Sequence, residues 1–191
     1  TRATTNATHL HRFADLLGPT RIAELQVSID GLPEYHDKRR IPVNGAPTFE
    51  QIWENVWLAL DRGVRVMIRA NLDRRNIAGF AEFAEFLDRE GFLNHPLAEL
   101  HYVDVQPDPI APDYGLDATM PLAEIERFLH DRSEEFPILQ RVAAPHEIGS
   151  FDEWITQNFH HKNTRHCGAV TNNVYLAPDL RVYSCHETAG R

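Results

Sequence analysis

A chain of 191 residues, 42% hydrophobic and 25% charged, is long enough for one sizeable core or for one domain and part of another. Its net charge of -9, from 28 acidic and 19 basic side chains, argues against a general nucleic-acid or anionic-membrane surface. No apolar run approaches the roughly 20 residues that span a bilayer, no basic-then-apolar leader opens the chain, and two cysteines are too few for a secreted disulfide scaffold, so a cytoplasmic protein without membrane or nucleic-acid partners is expected.

Thr4-Thr5-Asn6-Ala7-Thr8 reads as the end of a strand whose body lies outside the sequence. Asn6 or Thr8 can then cap a helix with Leu10, Phe13, Leu16 and Leu17 on one face, stopped at Gly18-Pro19. A strand follows over Ala23 to Ile29. Thr48 and Gln51 have capping-box spacing ahead of Ile52, Val56 and Leu60, and Gly63 closes that helix. A second strand runs from Val64 to Leu72, Asn76 can cap a helix bearing Ile77, Phe80, Ala84 and Leu87 that ends at Gly91, and Leu100 to Val105 reads as a third strand. Connections of helix length predict that these three strands are adjacent and parallel in that order. Trp53 and Trp57, at i+4 spacing, are read as core.

After Val105 the pattern loosens. A Pro-rich loop precedes a helix capped by Thr119 with Leu122, Ile125, Phe128 and Leu129 on its apolar side. A boundary is placed near Pro145, giving regions 1–144 and 145–191. In the second, Val174 to Leu176 and Val182-Tyr183 flank a Pro-Asp turn, the pattern of a hairpin.

Alternation places Ser28 and Asp30 together at the carboxyl end of their strand, where parallel α/β sheets bind ligands. The bland alternative is a turn built by Asp30-Gly31. Both positions are read as surface turn sites where substitution costs little stability. His36-Asp37 and Arg39-Arg40 are read as an Asp-Arg network that fixes the following loop, in preference to a catalytic acid-base pair. Arg69 and Asn71 alternate on the next strand, and Asp104 and Gln106 close the last one.

Four stretches, TTNATHL, VSIDGLPEYHDKRR, VMIRANLDRRN and CGAVTNNVYLAPDLRVYSC, together resemble radical S-adenosylmethionine enzymes with a C-terminal SPASM extension, over nearly the whole chain. The resemblance implies an α/β fold: a partial (β/α)6 TIM-like barrel seen from the end of its third strand, followed by the start of a SPASM-type hairpin region. It implies a peptide- or protein-modifying maturase that uses a 5'-deoxyadenosyl radical, with S-adenosylmethionine and 4Fe-4S clusters in the parent enzyme and a peptide or protein as substrate. Ser28, Asp30, Arg69, Asn71 and Gln106 would then contact the cofactor. Cys167 and Cys185 would ligate an auxiliary cluster, with Leu180 standing where the family has Gly.

The C-x-x-x-C-x-x-C motif that holds the family's catalytic cluster is not in these 191 residues, so the chain by itself is expected to be inactive and its parent active. A zinc site drawing on His160, His161, His166 or His186 lacks the usual short paired spacings. A non-catalytic peptide-binding module derived from such a barrel is the second reading. An unrelated α/β hydrolase or isomerase with metal-assisted chemistry is the third.

Overall fold

The computed structural model describes residues 1–105 and 118–142 in full, and the backbone of residues 175–176 and 182–183. The chain divides into two compact units, Thr1–Pro145 and His146–Arg191.

In the first unit four strands, β1 (Arg2–Thr5), β2 (Glu24–Ser28), β3 (Arg65–Leu72) and β4 (Ala98–Asp104), lie side by side in chain order, each neighbouring pair parallel. The three strands expected from sequence are adjacent and parallel as the crossover lengths predict. The strand end read at Thr4-Thr5 belongs to a paired strand that starts at Arg2. Crossovers between successive parallel strands are right-handed, so laying each new strand on the same edge puts every connecting helix on one side of the sheet.

The burial pattern follows from that one-sidedness. On β2 and β3 every second residue is buried: Leu25 and Val27, then Val66, Ile68, Ala70 and Leu72. These residues share one core with the apolar sides of α2 (Phe49–Asp61), α3 (Phe80–Arg89) and α4 (Leu122–Asp131). Trp53 and Trp57 belong to it as expected, edge to face at 5.9 Å. The alternate residues of the two strands, Gln26, Ser28, Met67, Arg69 and Asn71, are half-buried on the other face.

Four local expectations are corrected. The apolar spacing at Leu10, Phe13, Leu16 and Leu17 builds a 3-10 segment, Leu10–Leu16, that is kinked at Phe13 and leaves Phe13 and Leu16 exposed. Its would-be caps are already used. Asn6 Oδ1 accepts from Thr8 N and Thr5 Oγ1 from Ala7 N, folding a tight turn in which Ala7 takes φ 58°. A short helix, α1 (Pro33–Arg39), stands where a charged loop was read. Pro33 fits its first turn, and the Tyr35 ring packs so closely on Gly79 that a Cβ there would collide with it.

The third and fourth corrections concern caps. Thr48 forms no capping bond to α2; Asp37 Oδ1 does, accepting from Thr48 N at 2.7 Å and Phe49 N at 3.0 Å. Asn76 makes no side-chain capping bond and α3 is preceded by a 3-10 turn, Ile77–Gly79, while the residue at the start of α4 is Pro121, two beyond Thr119. A last short helix, α5 (Ile138–Val142), buries Leu139.

In the second unit β5 (Tyr175–Leu176) and β6 (Val182–Tyr183) pair antiparallel, Tyr175 opposite Tyr183 and Leu176 opposite Val182. The turn between them, Leu180 included, lies outside the described residues, as do Cys167 and Cys185.

Candidate functional site at the carboxyl edge of β2 and β3

Residues in register on a parallel pair share a face. Ser28 is in register with Arg69, and Arg69 with His101; one row toward the carboxyl end, Asn71 is in register with Val103. Ser28, Arg69 and Asn71 therefore converge on the half-buried face. Asp104 does not join them, because its register partner Leu72 points into the core. Gln106 lies outside the described residues.

Asp30 lies just behind this group and is buried, with its side chain sealed from solvent. Its Oδ1 accepts from Asn71 Nδ2 at 2.8 Å, from Asn71 N at 3.0 Å and from Arg40 Nη2 at 3.3 Å. Its Oδ2 takes Arg40 Nε at 2.8 Å and Arg39 Nε at 3.3 Å. Five donors fill the lone pairs of one carboxylate. Burial pushes the Asp30 carboxyl upward, but the Arg40 guanidinium and the two Asn71 donors outweigh it and hold the group below its ordinary 3.8. The expectation of a surface turn position is therefore corrected for stability: this buried carboxylate is an ion-pair partner of both Arg39 and Arg40.

Arg39 and Arg40 do enter an Asp-Arg network, but its carboxylates are Asp30 and Asp73, while Asp37 accepts from Thr48 and Phe49 instead. Arg39 bridges Asp30 to Asp73, its Nη1 3.1 Å from Asp73 Oδ2. Buried Asn76 ties the strand ends directly, its Nδ2 donating to Asp30 O at 2.8 Å and Asn71 O at 2.9 Å while its Oδ1 accepts from Asp73 N at 2.9 Å. These bonds stand in place of the helix cap that the sequence position of Asn76 predicts. Its position three residues beyond Asp73 is the one local signal of the reversed bond to the Asp73 amide.

Arg69 contrasts with this saturation. Its Nε is buried and, among the described residues, has no hydrogen-bond partner. Beside the edge, Glu34, Tyr35, Lys38, Arg39, Arg75 and Asn76 line a hollow of about 460 Å³, within the range of small-molecule pockets. Among the described residues no group of three or more His, Cys, Asp or Glu is placed to hold a metal ion, and no helix is long and apolar enough to cross a membrane.

A parallel sheet in chain order with its polar cluster at the carboxyl edge defines an α/β fold of the kind that binds ligands at strand ends. Solved structures share this fold. Native anSMEcpe with bound AdoMet and the Cp18Cys peptide superimposes with a TM-score of 0.56 at 17% identity, over 70% of this chain and 36% of that one. A hexahistidine-tagged form of anSMEcpe with bound AdoMet gives 0.56 and 17%, over 70% and 34%. The chain thus spans about a third of the length of these proteins. No protein-family model and no curated protein matches the sequence.

Proposed function

We propose that these residues are part of a radical S-adenosylmethionine enzyme that modifies a peptide or protein. In this reading the four strands belong to a partial (β/α)6 barrel, and the carboxyl edge of β2 and β3 receives the cofactor. Three lines support it: the motif resemblance, the fold shared with anSMEcpe, which is solved with AdoMet and a peptide bound, and the chemistry of the edge.

The observation that carries the reading is the buried Arg69 Nε, a cationic donor with no acceptor among the described residues, in register with Ser28. Leaving such a donor unpaired costs about 1–3 kcal/mol, which an acceptor on a ligand recovers. The carboxylate of a methionine moiety suits a guanidinium, which can offer it two parallel N–H groups. Ser28 can donate or accept. Asn71, with Nδ2 committed to Asp30, offers Oδ1 to a ribose hydroxyl. Asp30 acts behind them, its oxygens filled by Arg39, Arg40 and Asn71, as the group that holds Asn71 in place. When bound, the cofactor supplies the hydrogen-abstracting radical, and the chain's own residues bind and orient it.

The catalytic 4Fe-4S cluster does not fit the residues present. It needs three closely spaced thiolates, and the sequence holds Cys167 and Cys185 alone. The 191 residues by themselves are therefore proposed to bind the cofactor weakly and not to cleave it. Cys167 and Cys185 are proposed as part of an auxiliary cluster site whose other thiolates come from outside these residues.

The test is a titration of S-adenosylmethionine against the wild-type chain and Arg69→Met. Loss of a charge-assisted bond worth about 1.5–3 kcal/mol predicts roughly 10- to 100-fold weaker binding in the variant. Equal affinities would remove Arg69 from the site. A chain that binds peptide and ignores S-adenosylmethionine would instead be a peptide-binding module derived from the barrel.

A further inference from the structure

Behind the edge, the wholly buried ring of His36 packs edge to face on Phe49 at 5.9 Å. The backbone amide of Asp30 is directed at His36 Nδ1, 3.3 Å away. An amide N–H only donates, so Nδ1 must present a lone pair and the ring proton belongs on Nε2. Nε2 lies 3.4 Å from Thr48 Oγ1, and that hydroxyl donates to Asp37 Oδ1, also at 3.4 Å. In this arrangement Nδ1, Nε2 and the Thr48 hydroxyl each have a partner of the right kind. The other tautomer would set Nδ1–H against Asp30 N–H, and so would the doubly protonated ring.

We infer that neutral His36, protonated on Nε2, is a positioning residue for the carboxyl edge: it holds the Asp30 peptide, and through the Asp30 carboxylate it holds Asn71, so protonation of the ring loosens the ligand-facing end of the sheet. The inference rests on the proposed function for what Asn71 does; the relay itself stands on geometry alone.

The charged groups acting on the ring are Asp30 at the end of β2, Asp37 in α1 and Arg40 just beyond it; Thr48 and Phe49, which pack on it from the start of α2, carry no charge. Burial lowers the pKa of the ring, Asp30 and Asp37 oppose that, Arg40 adds to it, and the balance falls below the ordinary 6.5. The same relay connects α2 to the edge, since Asp37 both caps α2 and receives the Thr48 hydroxyl.

The experiment needs no ligand, so it can fail or succeed independently of the cofactor reading. Nitrogen-15 spectra of the wild-type chain report the His36 tautomer, and the Asn71 side-chain amide is followed from pH 7.5 downward. The expected result is an unprotonated Nδ1 at neutral pH and an Asn71 amide that shifts in step with the His36 ring. His36→Asn, which keeps an acceptor near the Nδ1 position and cannot titrate, should abolish that step while the amide stays at its neutral-pH position. A proton on Nδ1 in the wild-type chain would overturn the inference even if the variant does not fold. An unchanged pH response of Asn71 in a folded variant would overturn it as well.

Discussion

On one face of the sheet Val27, Ile68 and Ala70 are sealed beneath the helices, while one residue along the same strands Ser28, Arg69 and Asn71 are half-buried on the other. The first face is apolar and continuous with the core, and nothing in it specifies a ligand. The second gathers a hydroxyl, a guanidinium and an amide at the carboxyl edge. Behind it stands a third environment, the filled network of Asp30, Arg39, Arg40, Asp73 and Asn76, polar like the edge yet as buried as the core. The contrast separates two uses of polarity in one fold. Where every donor and acceptor is matched, polar groups fix the backbone; where a buried donor is left over, as at Arg69, they define a place for something to bind.

Substitutions that respect this division should sort by effect. Ile68→Ala, on the sealed face, opens a cavity and is expected to cost about 2–5 kcal/mol in chemical denaturation. Asp30→Ala is expected to cost about 2–4 kcal/mol by the same measurement. That is somewhat under the figure for a wholly buried ion pair, because Arg39 and Arg40 keep partial contact with water. A cost below 1 kcal/mol at Asp30 would return it to the class of turn residues.

Acid should attack the network in two stages. The His36 pKa is lower in the folded chain than its ordinary 6.5, so the unfolded chain binds the extra proton first. The stability that His36 contributes is therefore full above about pH 6.5 and is lost as pH falls through the folded pKa. Asp30, also lowered, contributes above its ordinary 3.8 and loses that contribution at still lower pH. Thermal melts against pH should show a loss of stability setting in below about pH 6.5, ahead of the Asp30 window, that His36→Asn removes; the same profile in both chains would assign the step elsewhere. The smallest stability effect belongs to Arg69→Met, expected within about 1 kcal/mol of wild type because it removes a buried donor that satisfies nothing among the described residues.

Much of the sheet was legible in the sequence because its information is periodic. Alternation along Val64 to Leu72 separates the core residues from Arg69 and Asn71 by parity alone, and the crossover lengths give the parallel order. The same counting brings Ser28 into one group with Arg69. What sequence did not show are the partners that chain separation hides. Asp30 takes donors ten and forty-one residues away, and the cap of α2 comes from Asp37 on another helix, where the local capping-box spacing at Thr48 and Gln51 pointed to an internal one. Such choices are made by packing. At Leu10 to Leu17 the apolar spacing was helical, yet the backbone is kinked at Phe13 and that side chain stays in solvent.

The central claim, that the carboxyl edge of β2 and β3 receives S-adenosylmethionine, is tested most directly by mapping amide shifts on the nitrogen-15-labelled chain during titration with the cofactor into the millimolar range. The expected perturbations centre on Ser28, Arg69 and Asn71 and vanish in Arg69→Met, a variant expected to stay folded with stability within about 1 kcal/mol of wild type. An unperturbed edge, with no shifts at all or with shifts centred on the hollow between α3 and α5 around Glu85 and Arg141, would contradict the account.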